Sequence, residues 1–132
     1  MGEQSAQISQ QLRQLEELQK FQNYAETAFT RGQYKEALHY YNNLNKYCDE
    51  AIVFIRKKIE CMIELNQVEE AISFSTLLQN KHIDNPEFLF IRGKLLMYQG
   101  NTDKGKQFVR EALNKDPDNS EYQKFFKSIS KL

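Results

Sequence analysis

The sequence has few of the residues that interrupt helices or cross-link chains: two prolines, five glycines and two cysteines among 132 residues. Because proline and glycine are the poorest residues in helix interiors, their scarcity favours long helices. The cysteines, Cys48 and Cys61, do not form a Cys-x-x-Cys pair, and there are only two histidines. This pattern indicates neither a disulfide scaffold nor a zinc site. We therefore expect reduced cysteines that pack as small apolar side chains.

An excess of charge of either sign is also missing, since 18 basic residues balance 18 acidic ones. Without a basic excess to neutralise phosphates, we expect neither nucleic acid nor a membrane surface as a partner. No run approaches the roughly 18 apolar residues that span a bilayer, and the polar start MGEQSAQISQ lacks the apolar core of a signal peptide. We therefore expect a cytoplasmic protein.

The motifs of common enzyme classes are missing as well. The sequence has no glycine-rich phosphate loop, no cluster of metal-ligating residues, and no serine, histidine and acid arranged at a strained turn. We predict that the chain is not an enzyme and that it uses neither a cofactor nor a metal ion.

What the sequence does contain is a repeat, because a small residue recurs every 34 positions at Ala37, Ala71 and Gly105. Four further rows keep the same interval: Phe21, Ile55 and Leu89; Ala25, Ile59 and Gly93; Ala28, Met62 and Leu96; and Leu44, Leu78 and Ala112. Two helices approach closely only where side chains are small. The rows therefore predict three helical hairpins, each with a small residue one turn into its second helix.

A 34-residue period with this content resembles the tetratricopeptide repeat. The resemblance implies an all-α fold: a right-handed tetratricopeptide solenoid of three helix-turn-helix repeats with an N-terminal leader extension and a C-terminal capping helix. We expect the leader at 1–17, the repeats at 18–51, 52–85 and 86–119, and the capping helix at 120–132. We expect turns at Gly32, Asn66 and Gly100, and a helix opening at Pro86.

The leader follows a helical pattern that runs without proline or glycine from Ser5 to about Phe29. Apolar residues at spacings of three and four predict a single stripe along it: Ile8, Leu12, Leu15, Leu18, Phe21, Ala25 and Ala28. Two interpretations remain open for the leader, namely a solvated extension or a coiled-coil dimer segment. We favour the solvated extension because the stripe lasts under three heptads, and we expect a monomer as an isolated fragment.

The segment NPEFLFIRGKLLMYQGNTDKGKQFVREALNKDPDN is similar to the internal repeats of J-domain co-chaperones, in which the repeats bind chaperones or client polypeptides. This resemblance implies a protein interaction scaffold in a co-chaperone-like protein, with a peptide, chaperone or client segment in the concave groove. The alternative function is that of architectural spacer repeats with no ligand of their own. The His-Pro-Asp motif of a J domain does not occur in this chain.

Some proteins of this repeat family hold the acidic C-terminal tails of heat-shock seventy and ninety chaperones with lysine, asparagine and arginine side chains. The resemblance places the five clamp positions on Gln22, Glu26, Lys57, Glu87 and Ile91, of which only Lys57 suits an acidic tail. We predict that the standard clamp is not used. The concave side is instead expected to present Gln22, Glu26, Arg56, Lys57, Glu60, Phe90, Ile91 and Lys94, a mixture that favours a segment with both apolar and charged side chains.

The chain ends in Ser130-Lys131-Leu132, which resembles the tripeptide that the peroxisomal import receptor binds. That signal acts only at a natural C-terminus. We favour coincidence, and we expect a peroxisomal location only if Leu132 is the natural end of the protein.

Overall fold

The computed structural model describes residues 2–45 and 51–131, and within these ranges it has eight helices and no strand. The helices are α1 (Gly2–Thr30), α2 (Tyr34–Asn45), α3 (Ile52–Glu64), α4 (Val68–Leu77), α5 (Gln79–His82), α6 (Pro86–Gln99), α7 (Thr102–Lys115) and α8 (Ser120–Ile129). The predicted all-α fold is confirmed. Cys48 and Leu132, on which two expectations depend, lie outside the described residues.

The helices are grouped in two compact units, Met1–Cys61 and Met62–Leu132. The first unit contains α1, α2 and most of α3. The second contains the end of α3 and all the helices from α4 to α8. Each unit has its own cluster of buried apolar side chains.

The 34-residue interval reappears in the backbone as a repeated turn. A residue with left-handed φ follows the first helix of each pair: Gly32 at 75°, Asn66 at 63° and Gly100 at 94°. The next residue donates its N–H to a carbonyl five positions back: Gln33 to Ala28 at 2.8 Å, Gln67 to Met62 at 2.8 Å, and Asn101 to Leu96 at 2.9 Å. This bond satisfies a carbonyl that the helix end would otherwise leave unpaired. The predicted turns are therefore confirmed.

The core of the first unit forms where α1 and α2 meet. Ala25, Ala37 and Cys61 are 0% exposed, and the larger Tyr41 and Leu44 are 1% exposed. The two alanines and the Tyr41 ring belong to one buried cluster. Cys61 forms no disulfide among the described residues and packs here as a small apolar side chain, as predicted.

The second unit is organised around a close approach of α6 and α7. A Cβ added to Gly93 would lie 2.7 Å from Val109 Cγ2 and 3.0 Å from the carbonyl oxygen of Gly105. The backbones of the two helices therefore approach closely at Gly93 and Gly105, and the side chains of Val109 and Met97 lie against these glycines. The last helix, α8, packs against α6 and α7 and buries its own Tyr122 and Ile129, as predicted for a capping helix.

Side-chain caps begin two of the helices in the second unit. The Asn85 side chain accepts a hydrogen bond from the Phe88 N–H at 3.2 Å, and Pro86 occupies the first turn of α6. Asn119 accepts from the Tyr122 N–H at 3.1 Å and begins α8 in the same way. Asparagine is a preferred N-cap because its oxygen satisfies one of the free N–H groups of the first turn.

The middle hairpin differs from the others in its second helix, since α4 has 10 residues and α7 has 14. The hydroxyls of Ser75 and Thr76 both donate to the carbonyl of Ile72, at 3.0 and 2.8 Å. Such bonds compete with the regular helix bonds. The chain accordingly leaves α4 after Leu77 and re-enters a short helix, α5, four residues long.

The leader is part of α1, a continuous helix of 29 residues, so the helix begins before the first repeat as predicted. Its apolar residues do not form one stripe, however, and that prediction is wrong. Leu18 and Phe21 pack against the first unit's core, whereas Ile8, Leu12 and Leu15 are 57, 55 and 62% exposed. Each step of three residues falls about 60° short of a full turn, so Leu12 and Phe21 point to opposite sides.

Candidate functional site

The eight residues expected on the concave side are divided between the two units. Gln22 and Glu26 lie on α1, and Arg56, Lys57 and Glu60 lie on α3 within the first unit. Phe90, Ile91 and Lys94 lie on α6 in the second unit.

On α1 the two predicted residues form a polar pair. Gln22 Nε2 donates a hydrogen bond to Glu26 Oε1 at 3.1 Å, and Glu26 is exposed. They are four residues apart, the spacing that brings two side chains together on one side of a helix. This part of α1 therefore presents an amide and a carboxylate and no positive charge.

On α3 the predicted residues form a compact charge network. Arg56 Nε lies 2.7 Å from Glu60 Oε1, and Lys57 Nζ lies 3.8 Å from Glu60 Oε2. The Lys57 ammonium also lies 4.2 Å from the centroid of the Phe29 ring, which α1 contributes. One carboxylate thus holds two cations, and a cation–π contact fixes one of them against α1. Sequence reasoning missed Phe29 as part of this surface.

The pKa of Tyr41 shows the effect of burial and of negative charge in the same region. Burial raises its pKa to about 12, with smaller contributions from Cys61, Glu26 and Glu60. Its hydroxyl has no hydrogen-bond partner among the residues that the structure describes. Two predicted surface glutamates therefore act on one buried phenol from α1 and α3. Their negative charge opposes a second anion in this region.

Phe90 and Ile91 are not presented to a ligand, which corrects the expectation for both. Each is 1% exposed. The Phe90 ring stacks on Tyr122 with centroids 4.5 Å apart and meets Phe125 edge-on at 5.4 Å. The capping helix therefore covers the side of α6 on which Phe90 lies. The sequence predicts both this cap and an exposed Phe90, and these two expectations exclude each other.

Lys94 remains partly accessible on α6 and stays a candidate. Its ammonium lies 5.9 Å from the Phe90 ring centroid and 5.8 Å from that of Phe125. Aromatic rings attract the ammonium of Lys94 but carry no net charge, so they position Lys94 without neutralising its positive charge. Phe125 is the residue that sequence reasoning did not connect with this site. The run of aromatic residues in the final helix was the sequence feature that could have identified it.

One hollow on the described part of the surface is open to solvent. This hollow of about 420 Å³ runs along α1, lined by Arg13, Glu16, Glu17, Gln19, Lys20 and Asn23. Across residues 2–45 and 51–131 there is no group of three His, Cys, Asp or Glu side chains able to hold a metal ion. No helix in those ranges is long and apolar enough to cross a membrane.

Two J-domain proteins are similar to this chain in sequence. The DnaJ homolog subfamily C member 7 homolog of Dictyostelium discoideum is 39% identical over 64 residues, which cover 48% of this chain and 12% of that protein. Human DnaJ homolog subfamily C member 7 is 24% identical over 118 residues, covering 89% of this chain and 24% of that protein. The chain thus spans a quarter or less of these relatives. No model of a known protein family matches it.

Three solved structures with the same fold illustrate the likeness. The Sgt2 TPR domain of Aspergillus fumigatus has a TM-score of 0.75 at 11% identity, covering 87% of this chain and 78% of that one. The first TPR of Spaghetti (RPAP3), bound to the HSP90 peptide SRMEEVD, has a TM-score of 0.72 at 18% identity, covering 86 and 90%. The Yersinia enterocolitica type III secretion chaperone SycD, in complex with a peptide of the translocator YopD, has a TM-score of 0.72 at 17% identity, covering 88% of both chains.

Repeated turns, buried small residues and these structural likenesses agree with the 34-residue period of the sequence. The chain has the fold of tetratricopeptide-repeat domains, and in sequence it is similar to part of two J-domain proteins.

Proposed function

We propose that the chain is a non-enzymatic scaffold that binds a segment of another protein, as part of a co-chaperone-like protein in the cytoplasm. Two structures of the same fold carry a bound peptide, which supports a peptide as the ligand. The similarity to J-domain proteins supports a chaperone or a client polypeptide as the source of that segment.

The observation that carries the proposal is the charge network of Arg56, Lys57 and Glu60 on the first unit. Both cations are partly buried, and both are already held by the same carboxylate, so neither is free to act as a strong carboxylate receptor. A ligand that carries charges of both signs together with apolar side chains is expected to bind this network most tightly. The expected partner segment is therefore mixed in charge.

The same network argues against binding of acidic chaperone tails by the standard clamp. Of the clamp positions, Gln22 and Glu26 are bonded to one another, and Lys57 is held by Glu60 and Phe29. Ile91 occupies the position of the clamp arginine, but its side chain is apolar and buried and cannot contact a ligand carboxylate. We infer that a peptide such as SRMEEVD, which binds Spaghetti, is a poor ligand for this chain.

Selection of the chain against a displayed library of random 15-residue peptides tests the proposal. We expect enriched segments that combine apolar residues with charges of both signs. Arg56→Ala and Lys57→Ala should each weaken the binding of a selected segment about tenfold, because each removes one charge from a partly desolvated site. Lys35→Ala is the matched control, since Lys35 is exposed on α2 and belongs to none of the contacts above.

Two outcomes would contradict the proposal. Failure to enrich any segment would favour the alternative function, that of spacer repeats without a ligand. Enriched segments whose affinity falls equally in Lys35→Ala would place the binding surface elsewhere on the chain.

A further inference from the structure

The exposed side of α1 carries a heptad pattern that the hairpin does not use. Its residues alternate steps of four and three: Ile8, Leu12, Leu15, Gln19, Gln22 and Glu26. Steps of four and three average 3.5 residues, so all six lie along one side of the helix. We call this row the α1 seam. Its first half is apolar, its second half is polar, and no charged residue interrupts it before Glu26.

The apolar half of the α1 seam is open to solvent. Ile8, Leu12 and Leu15 each expose more than half of their surface, at 57, 55 and 62%. The next apolar residue, Leu18, turns away and packs against the first unit's core. Three large apolar residues exposed in one row at coiled-coil spacing mark a surface that another helix covers.

We propose that a second copy of this chain covers the α1 seam, with the two α1 helices paired antiparallel. The apolar half is nearly symmetric about Leu12, because Ile8 lies four residues before it and Leu15 three residues after it. In an antiparallel pair with Leu12 beside Leu12 of the second copy, Ile8 lies within one residue of Leu15, which is about 1.5 Å along the helix axis. The apolar half is then buried against its own counterpart, as a twofold interface requires.

The opposite, parallel pairing is disfavoured by the polar half of the seam. It would place the two Glu26 carboxylates opposite each other and would stack Gln19 and Gln22 on their own copies. Like charges at facing positions are destabilising. The antiparallel pair leaves Glu26 in solvent, beyond the reach of the other leader.

The dimer must be weak. Three side chains in each copy are far fewer than the roughly 20–30 residues a side that a stable interface uses. We expect a dissociation constant on the order of 100 µM. The chain is then mainly monomeric at low micromolar concentration, which reconciles this pairing with the monomer expected from the sequence. The pairing needs no peptide ligand and stands independently of the proposed function.

Sedimentation velocity of the full chain between about 5 and 500 µM tests the pairing. The wild-type weight-average sedimentation coefficient should rise across this range. Leu12→Glu should weaken association at least tenfold, because it places two carboxylates at the centre. Gln10→Glu should leave association unchanged, since Gln10 lies on the opposite side of α1 and is also exposed. A wild-type chain that stays monomeric throughout, or equal weakening by both variants, would overturn the proposal.

Mixed variants test the orientation. A chain with Ile8→Glu and a second chain with Leu15→Lys should associate more strongly together than either does alone, because these positions face each other only in the antiparallel pair. Leu15→Glu mixed with Leu15→Lys should gain nothing. The reverse result would show a parallel pair and overturn the proposed arrangement. Unchanged helix content by circular dichroism would show that the variants remain folded.

Discussion

Single residues set how closely α6 and α7 approach. Replacing Gly93 with alanine would put a Cβ 2.7 Å from Val109 Cγ2 and 3.0 Å from the backbone of Gly105. Overpacking of this kind costs about 1–3 kcal/mol, and the better helix propensity of alanine offsets about 1 kcal/mol. The upper part of the overpacking range applies, because two of the three nearest atoms are backbone atoms that cannot rotate away. We therefore predict a net loss of about 1–2 kcal/mol in the free energy of unfolding, measured by urea denaturation.

The matched control is Gly2→Ala, because nothing lies within 4 Å of a Cβ at Gly2. That variant should be as stable as the wild type. Gly105→Ala should be less harmful than Gly93→Ala, since the nearest obstacle, the end of the Met97 side chain, is flexible. Equal stability of Gly93→Ala and the wild type would contradict the close helix approach.

Tyr41 gives the fold a dependence on alkaline pH. Its pKa is raised from 10.0 to about 12 in the folded chain, so the unfolded chain releases this proton at lower pH. The stabilisation is therefore complete below pH 10 and is lost as the pH rises to 12. We predict that Tyr41→Phe is less sensitive than the wild type between pH 10 and 12 in thermal denaturation.

At neutral pH the same substitution should change stability by less than about 1 kcal/mol, because the hydroxyl has no partner among the described residues. A large loss at pH 7 would show that the phenol makes a bond. Identical alkaline profiles of the wild type and Tyr41→Phe would contradict the raised pKa.

Individual positions also show what the sequence determines. The small residues at intervals of 34 predicted the buried contacts because the space between helices limits side-chain size directly. The accessibility of Phe90 was not predictable in the same way. It depends on α8, whose Tyr122 and Phe125 lie 32 and 35 positions further along the chain and are placed by packing.

At the scale of the helix, the N-cap of α6 is open to a direct test. Asn85→Ala removes the acceptor that pairs with the Phe88 N–H at 3.2 Å. We predict a loss of about 1 kcal/mol in the free energy of unfolding. Asn101→Ala is the control, because Asn101 begins α7 without a side-chain cap. Equal effects of the two substitutions would show that the Asn85 bond does not stabilise α6.

The charge network on α3 can be changed without altering its shape. Glu60→Gln removes the negative charge that pairs with both Arg56 and Lys57. We predict that affinity for the acidic peptide SRMEEVD then rises about threefold, measured by fluorescence anisotropy. Glu64→Gln, four residues later and exposed, should have no such effect. An unchanged affinity in Glu60→Gln would show that Glu60 does not shield the two cations.

The ends of helices were predictable where local chemistry begins or ends them, as at Gly32, Pro86 and Gly100. The spacing of the seven apolar residues of α1 led us to predict one stripe, whereas these residues lie on two different sides of the helix. Three consecutive steps of three residues turn the stripe by about half a turn, so the leader and the hairpin use different sides of one helix. The early end of α4 was missed for a related reason, because Ser75 and Thr76 compete locally with a helix that the repeat pattern continues.

For the molecule as a whole, the balanced charge of 18 basic and 18 acidic residues matches the mixed character of the candidate surface. A chain of this kind does not attract acidic ligands at long range. We propose that its specificity depends on local contacts, namely the paired charges of α3 in the first unit and, separately, Lys94 beside two aromatic rings in the second unit. This separates the proposed ligand from the peptide bound by Spaghetti, although the fold is shared.

Calorimetric titration of the wild-type chain with the peptide SRMEEVD tests this central claim most directly. The compensated cations and the exposed Glu26 predict no saturable binding below about 100 µM. Sub-micromolar binding that Lys57→Ala weakens would contradict the claim, because it would show that the chain binds acidic tails through a working clamp.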